Sequence, residues 1–472
     1  MSPRLSILVT AITRSVFSLL CMLLGATIAR AQIASQAIEE VFVPIESARI
    51  DNPTAKARYE KVGAVHLAGA SWVQVHVGEY NLGRSSELIL TSAADGQEQR
   101  LDARSLPHSY DWSAMLTGDE VEIELRIAPG DLGVYVRFDQ VRTSERMAES
   151  APASYERSIC GDLDDRIRFN DSRVARLGGC TAWLVSNGAV LSAGHCPIAA
   201  GNMIEFNVPS STGSGLTLPA APIDQYPVNI ASVSFQDDGR GEDWMVFGVN
   251  PNTTSGAKAH LKQGFFFMTR LSLAIGTTLR VTGYGLDNIP GGVGGAGAAC
   301  CDSNGNGLCE YDCNSDSQTQ QVDIGPLDDL DGSIIEHDVD TMPANSGSPI
   351  IWDESGRYTI GIHTEGGCDD FVSGYDNHGT SFNHLPLAIA IQTFLGPNTV
   401  YVDWEDIGVS ANGSVFEPFR TVSAAVGAVA DGGIIAMVPG IYPRAAGNTF
   451  TAGADGKAMT FLTPVGGVTI GE

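Results

Sequence analysis

The chain is predicted to be an all-β protein of several domains, and three features of the sequence lead there. Its 472 residues exceed one core of ordinary size, and at about 150 residues per domain they suggest about three units. A hydrophobic content of 43% with 18% charged residues is that of a globular chain. The 54 glycines and the scarcity of long apolar runs favour short strands joined by many turns.

The first 31 residues read as a secretory signal. Arg4 and Arg14 precede the apolar run Val16 to Ala26, and Ala29-Arg30-Ala31 supplies a small-x-small cleavage site, so the mature chain is expected to begin at Gln32. An uncleaved anchor is the competing reading, but the run is short for a span of about 20 residues. Removing the segment takes three of the 28 basic residues and none of the 55 acidic ones, which moves the formal charge from −27 to −30. Such a surface argues against nucleic-acid and anionic-membrane partners. It suits a soluble protein secreted to the medium or cell envelope, or one that binds calcium. Cys21 leaves with the signal, and eight cysteines in an oxidising compartment predict disulfides.

Residues 40–145 alternate apolar and polar positions: Trp72, Val73, Val75, Val77, then Leu88 to Leu90, then Val121, Ile123, Leu125, Ile127, then Val134, Val136, Phe138. Turn signals at Gly83, Asp95-Gly96 and Pro129-Gly130 separate these runs, and the pattern predicts an antiparallel β-sandwich, either an accessory or a pro domain. His66 and His76 stand alone and read as structural. Residues 146–158 are polar and small, as in a linker. A second unit spans 159–396 and closes with a short helix over Leu385 to Leu395, broken by Gly396-Pro397. The tail, 399–472, alternates a strand (Thr399 to Val402), a helix with Val422, Ala425, Val426 and Val429 on one face, a strand Ile434 to Val438, and two strand-like runs, Thr460 to Leu462 and Val468 to Ile470.

The middle unit carries the chemistry. Cys180 to Cys196 is a hairpin of two apolar strands that ends in His195. Asp243 opens the apolar run Trp244-Met-Val-Phe, whereas Asp237 and Asp238 sit in a glycine-rich loop with no apolar strand after them. Ser346 occupies the tight turn Ala344-Asn-Ser-Gly-Ser-Pro349. A serine hydroxyl is a poor nucleophile at neutral pH. It needs an imidazole to take its proton and a carboxylate to hold that imidazole in one tautomer. His195, Asp243 and Ser346 follow in this order, 48 and 103 residues apart.

These segments at these spacings resemble the chymotrypsin-like (trypsin-like) serine proteases. The resemblance implies a double β-barrel, a Cys180–Cys196 disulfide clamping the histidine loop, and peptide-bond hydrolysis through an acyl-enzyme on Ser346. It also implies an oxyanion hole made by the N–H groups of Ala344 and Ser346, with alanine where the family usually has glycine. Asn345-Ser-Gly-Ser-Pro349, Cys160-Gly-Asp-Leu-Asp-Asp165-Arg166 and Asp316-Ser-Gln-Thr-Gln-Gln321 are similar to the bacterial branch that includes glutamyl endopeptidases. Substrates would be proteins or peptides and no cofactor is required. The competing class is a catalytically inactive protease-fold protein used for binding or adhesion.

Two clues to specificity conflict within the implied substrate pocket of Asp340, Thr341, His363, Thr364 and Gly366. A carboxylate at Asp340, six residues before the nucleophile, would attract Arg or Lys, while His363 in Gly361-Ile-His-Thr-Glu-Gly-Gly367 resembles the histidine with which glutamyl endopeptidases bind an acidic side chain. If the two pair, each cancels the other. Alternatively, Asp340 points away and caps a backbone turn. The same resemblance places the domain's N-terminal segment near the pocket wall, which suggests a Cys160–Cys368 bridge.

Residues 291–315 form a Cys-rich insertion in which Asp302, Asn304 and Asn306 with Gly307 resemble a calcium loop, since a hard cation needs several oxygens around a sharp turn. The twelfth position is Cys313, with the acid at Asp312 instead, so a structural calcium and a disulfide-pinned loop both fit; zinc is disfavoured in an oxidising compartment. In the tail, Tyr401-Val-Asp, Asn412-Gly-Ser, Pro418-Phe-Arg-Thr-Val and Val438-Pro-Gly-Ile-Tyr resemble the opening coil of right-handed parallel β-helix proteins. Such coils bury their apolar faces only by stacking, so a partial β-helix must dock on something or continue.

Overall fold

The structure, a computed structural model, describes residues 38–144, 158–160, 164–287 except 214, 314–368, 376–446 except 407 and 409, 448 and 456–471. The expected signal segment, the insertion with Asp302, Asn304, Asn306 and Asp312, and most of the expected linker lie outside the described residues.

The N-terminal alternation becomes two four-stranded antiparallel sheets. One orders Ile38–Glu46, Tyr135–Ser144, Trp72–Asn81 and Leu116–Thr117; the other orders Arg58–His66, Glu120–Ile127, Glu87–Ser92 and Glu98–Leu101. Because side chains alternate faces along a strand, Val73, Val75 and Val77 meet Val121, Ile123, Leu125 and Leu88 in one core. One strand departs from simple alternation. Trp72 and Gln74 are buried along with Val73 and Val75, and Gln74 donates to Gly201 O of the next unit.

That unit holds two six-stranded barrels. The first closes in the order Val174–Leu177, Cys180–Leu184, Val190–Ser192, Asp243–Val249, Gln225–Asp237 and Met203–Glu205. The second runs Tyr358–Glu365, Pro349–Trp352, Thr278–Gly283, Gln321–Asp331, Ile334–His337 and Asn377–Ser381, and closes where the last strand pairs with the first. Period-two alternation divides the labour along Cys180–Leu184: Ala182 and Leu184 fill the first barrel, while Trp183 points into the seam with Trp244, Phe266, Ile362 and Phe382. Leu387 and Ile391 of the helix Leu385–Thr393 pack on that seam.

The described strands of the tail pair in parallel: Thr399–Val402, Gly433–Met437 and Met459–Leu462 in one sheet, and Gly440–Tyr442 beside Val468–Ile470 in another. Its helix, Val422–Ala428, is capped by Thr421 Oγ1, which accepts from Ala424 N–H, and buries Val422 and Ala425. Tyr401, Val415, Phe416 and Ala436 enter the same cluster as the barrel seam, so the tail docks on the barrel unit.

Candidate active site

His195 lies just beyond the strand Val190–Ser192, and Asp243 begins the strand paired to it, so the hydrogen-bonded ladder itself sets their separation. His195 Nδ1 is 2.5 Å from Asp243 Oδ2. The other carboxylate oxygen, Oδ1, accepts from Gly194 N–H at 2.5 Å and His195 N–H at 3.1 Å. A side chain at 194 would drive its Cβ to 1.8 Å from the Gln236 carbonyl oxygen, so only glycine admits this approach. Thr380 Oγ1 accepts from Asp243 N–H and donates to its carbonyl, at 3.2 and 2.7 Å. The carboxylate and both backbone groups of Asp243 are therefore fixed. Both side chains of the pair are about 3% exposed.

Ser346 is held against the same strands by its backbone. Its carbonyl accepts from Thr181 N–H at 2.8 Å, Gly347 N–H donates to the His363 carbonyl at 2.8 Å, and His363 N–H donates to Ser348 O at 2.9 Å. Gly347 has φ +90°, and a Cβ there would lie 2.1 Å from Thr181 O and 2.4 Å from Ser192 Oγ. Glycine is what lets the serine turn sit on the histidine hairpin. The Ser346 hydroxyl donates to Thr364 O at 3.2 Å. His195 Nε2 is buried and makes no hydrogen bond among the described residues.

Ala344 has φ +81°, in the left-handed region that L-residues enter at a cost of about 1–2 kcal/mol. Its surroundings enforce that conformation. Its carbonyl accepts from Thr181 Oγ1 at 3.0 Å, and Pro343 O accepts from Leu286 N–H at 2.9 Å. Leu286 O in turn accepts from Arg166, whose buried guanidinium also forms ion pairs with Asp164 at 2.7 Å and Asp287 at 2.9 Å.

Residues 168–377 match the Trypsin family model. The matched stretch is under half of the chain. A solved structure described as a Glu endopeptidase in complex with MPD is 17% identical, covering 49% of this chain and 97% of its own with a TM-score of 0.34. A thermostable serine protease, AL20, from an extremophilic microorganism is 12% identical, covering 45% and 90% with a TM-score of 0.30. No curated protein matches the chain.

Within the stretch that matches the Trypsin model the expected pocket residues separate. Asp340 is turned to the domain's N-terminal segment, where it accepts from Cys160 N–H at 2.6 Å and Asp165 N–H at 3.4 Å. It caps backbone and does not form the floor of a basic-residue pocket; the pairing with His363 considered from sequence is not made among the described residues. Burial, with the neighbouring Asp323 and Asp164 carboxylates, pushes its pKa up to about 9, so it is neutral at pH 7. Asp165, Asp323 and Asp340 hold carboxylate oxygens within 4.8 Å of one another, a crowding answered by protonation and backbone N–H groups. Cys160 is bonded to Cys368, and Cys180 to Cys196. Thr341 and Thr364 are fully buried, with hydroxyls that find no partner among the described residues, and Gly366 follows the strand end.

His363 belongs to a row of histidines that the sequence did not suggest. Val339 N–H donates to His337 Nδ1 at 3.2 Å, and His337 Nε2 lies 3.3 Å from His363 Nδ1. Accepting a backbone N–H leaves the His337 proton on Nε2, directed at His363 Nδ1, so the proton of His363 sits on its buried, unpartnered Nε2. Burial lowers the His337 pKa to about 3 and that of His363 well below the ordinary value. His378 Nε2 stands 3.3 Å from Glu336. No local signal could have announced this row, because its members lie on three strands that meet only when the second barrel closes.

Proposed function

We propose that the protein is an exported serine endopeptidase acting through Ser346, His195 and Asp243, with preference for Glu or Asp at the cleaved bond. The observation that carries the first part is the His195–Asp243 contact at 2.5 Å with a bare Nε2 on the far side of the ring. A carboxylate at Nδ1 keeps the proton there and leaves the Nε2 lone pair as the base. Rotation about the Ser346 Cα–Cβ bond exchanges the Thr364 carbonyl for Nε2, and the hydroxyl then attacks the scissile carbonyl as its proton passes to His195. The imidazolium returns that proton to the leaving amine. Water repeats the sequence on the acyl-enzyme. The oxyanion meets the N–H groups of Ala344 and Ser346, each worth roughly 3–4 kcal/mol in such sites.

The preference for acids rests on His363. With both rings neutral, its Nε2–H is a hydrogen-bond donor, and an entering carboxylate raises the affinity of the whole row for a second proton. A neutral row rejects Lys and Arg because it offers their cations no counter-charge, and Asp340 is spent on backbone. The tail is read as a partial parallel β-helix coil that buries its open face on the protease.

An active-site organophosphonate should label the wild type and not Ser346→Ala, and a peptide library should give cleavage after acidic residues that His363→Phe abolishes. Absence of labelling in folded, disulfide-bonded protein favours the inactive binding protein. Labelling with cleavage after other residues removes the specificity reading alone.

A further inference from the structure

We propose that the N-terminal sandwich is a permanent lobe of the mature protein and positions the turn that follows His195. The contacts tie buried polar side chains of one lobe to the other. Gln74, 4% exposed, donates through Nε2 to Ser113 O at 2.8 Å within its own lobe and to Gly201 O at 3.1 Å across the interface. Gln225 of the first barrel accepts from Met115 N–H and donates to Met115 O, both at 2.8 Å. Gln99 Nε2 donates to Thr253 Oγ1 at 2.9 Å, and Tyr110 Oη accepts from Ile230 N–H at 3.1 Å. On release these groups would exchange protein partners for water, so each bond adds a net of only about 1 kcal/mol, and their number holds the lobe in place.

The loop that makes these contacts is strained into shape. Tyr110 and Asp111 are consecutive non-glycine residues with φ +56° and +64°. Such conformations persist where the surroundings over-determine them, and this pair turns Tyr110 toward Ile230 and Trp112 onto Gly201. Gly201 has φ +82°, and a Cβ there would lie 2.3 Å from the Trp112 ring. Arg142 lies over the indole, 3.8 Å from its centroid, and reaches Ala200 O at 3.3 Å.

The turn 199–202 so gripped begins four residues after His195. The Cys180–Cys196 disulfide pins the histidine loop on one side, and the sandwich holds its exit on the other. The interface lies on 200–201, 225–230 and 250–253. None of its hydrogen bonds among the described residues reaches the Ser346 turn, His363 or Thr364.

The test has two arms. A site for a sequence-specific protease is placed between Ser150 and Ala151 in the full chain carrying Ser346→Ala, and the nicked protein is run on a sizing column. Co-elution that only denaturant abolishes is expected; a folded barrel unit eluting alone would overturn the proposal. This arm is independent of catalysis. The second arm rests on the protease reading: Trp112→Ala and Gln74→Ala in active full-length protein should lower kcat roughly tenfold with KM for a short peptide unchanged, and displace the acid limb of the pH profile. Loss of thermal stability with an unmoved kcat and pH profile would refute the positioning role.

Discussion

Replacing Asp243 by Asn separates the orienting role of this carboxylate from its structural one. Oδ1 accepts two backbone N–H groups, from Gly194 at 2.5 Å and His195 at 3.1 Å. In the Asn variant the amide oxygen must stay there, since turning the amide over would set its N–H2 against two N–H donors. The NH2 group then faces His195 Nδ1, which becomes an acceptor, and the ring proton moves to Nε2, where the base is needed. The loss should be about 10⁴-fold in kcat, equivalent to about 5.4 kcal/mol of barrier. Two hydrogen bonds weaken from charge-assisted to neutral, costing about 2 kcal/mol of stability together. The assay pairs kcat on a chromogenic peptide with thermal melting of the same preparation. A fall of less than about a hundredfold with an unchanged Tm would refute the tautomer argument, because the geometry would then tolerate either ring form.

Two further outcomes follow from the same structure. Gly347→Ala combines φ +90° with a methyl 2.1 Å from Thr181 O; the serine turn must move, and a displacement of about 1 Å should cost at least a hundredfold in kcat. Activity within threefold of the parent would show that the turn is not so constrained. Asp340→Asn keeps an acceptor for the Cys160 N–H and removes the titration. Because burial and neighbouring carboxylates raise Asp340 to about 9, the folded chain holds a proton that the unfolded chain gives up near pH 4, so this contribution to stability is complete below about pH 4 and is lost as pH rises toward about 9. The Tm advantage of the variant over the parent should widen across that interval, and parallel Tm–pH curves would contradict the assignment.

The linear order of residues announced some of this directly and was silent on the rest. Alternating valines declared the sandwich strands, and the apolar run after Asp243 distinguished it from Asp237 and Asp238, because a strand's periodicity is written in consecutive residues. The Cys160–Cys368 pairing was drawn from resemblance, and the structure joins the same two cysteines across 208 residues. Asp340 was ambiguous. Its distance from Ser346 in sequence fitted a pocket floor, and only the arrival of Cys160 and Asp165 beside it, about 180 residues earlier in the chain, turned it into a backbone cap. Gln74 lies on the strand face opposite Val73 and Val75, and only the docking of the barrel unit, through Gly201 O, gives it a partner there.

By itself, then, the sequence determined the identities and spacing of Ser346, His195 and Asp243, the glycines that let chains approach closely, and the strand pattern that brings them together. Tertiary structure alone decided the environment of each group: the neutral row from His337 to His363, the protonated Asp340, the grip of Trp112 on Gly201. The division has a physical cause. Backbone conformation and face alternation follow from a few neighbouring residues, whereas desolvation and hydrogen-bond partnership depend on groups that become neighbours only when the barrels close and the lobes dock.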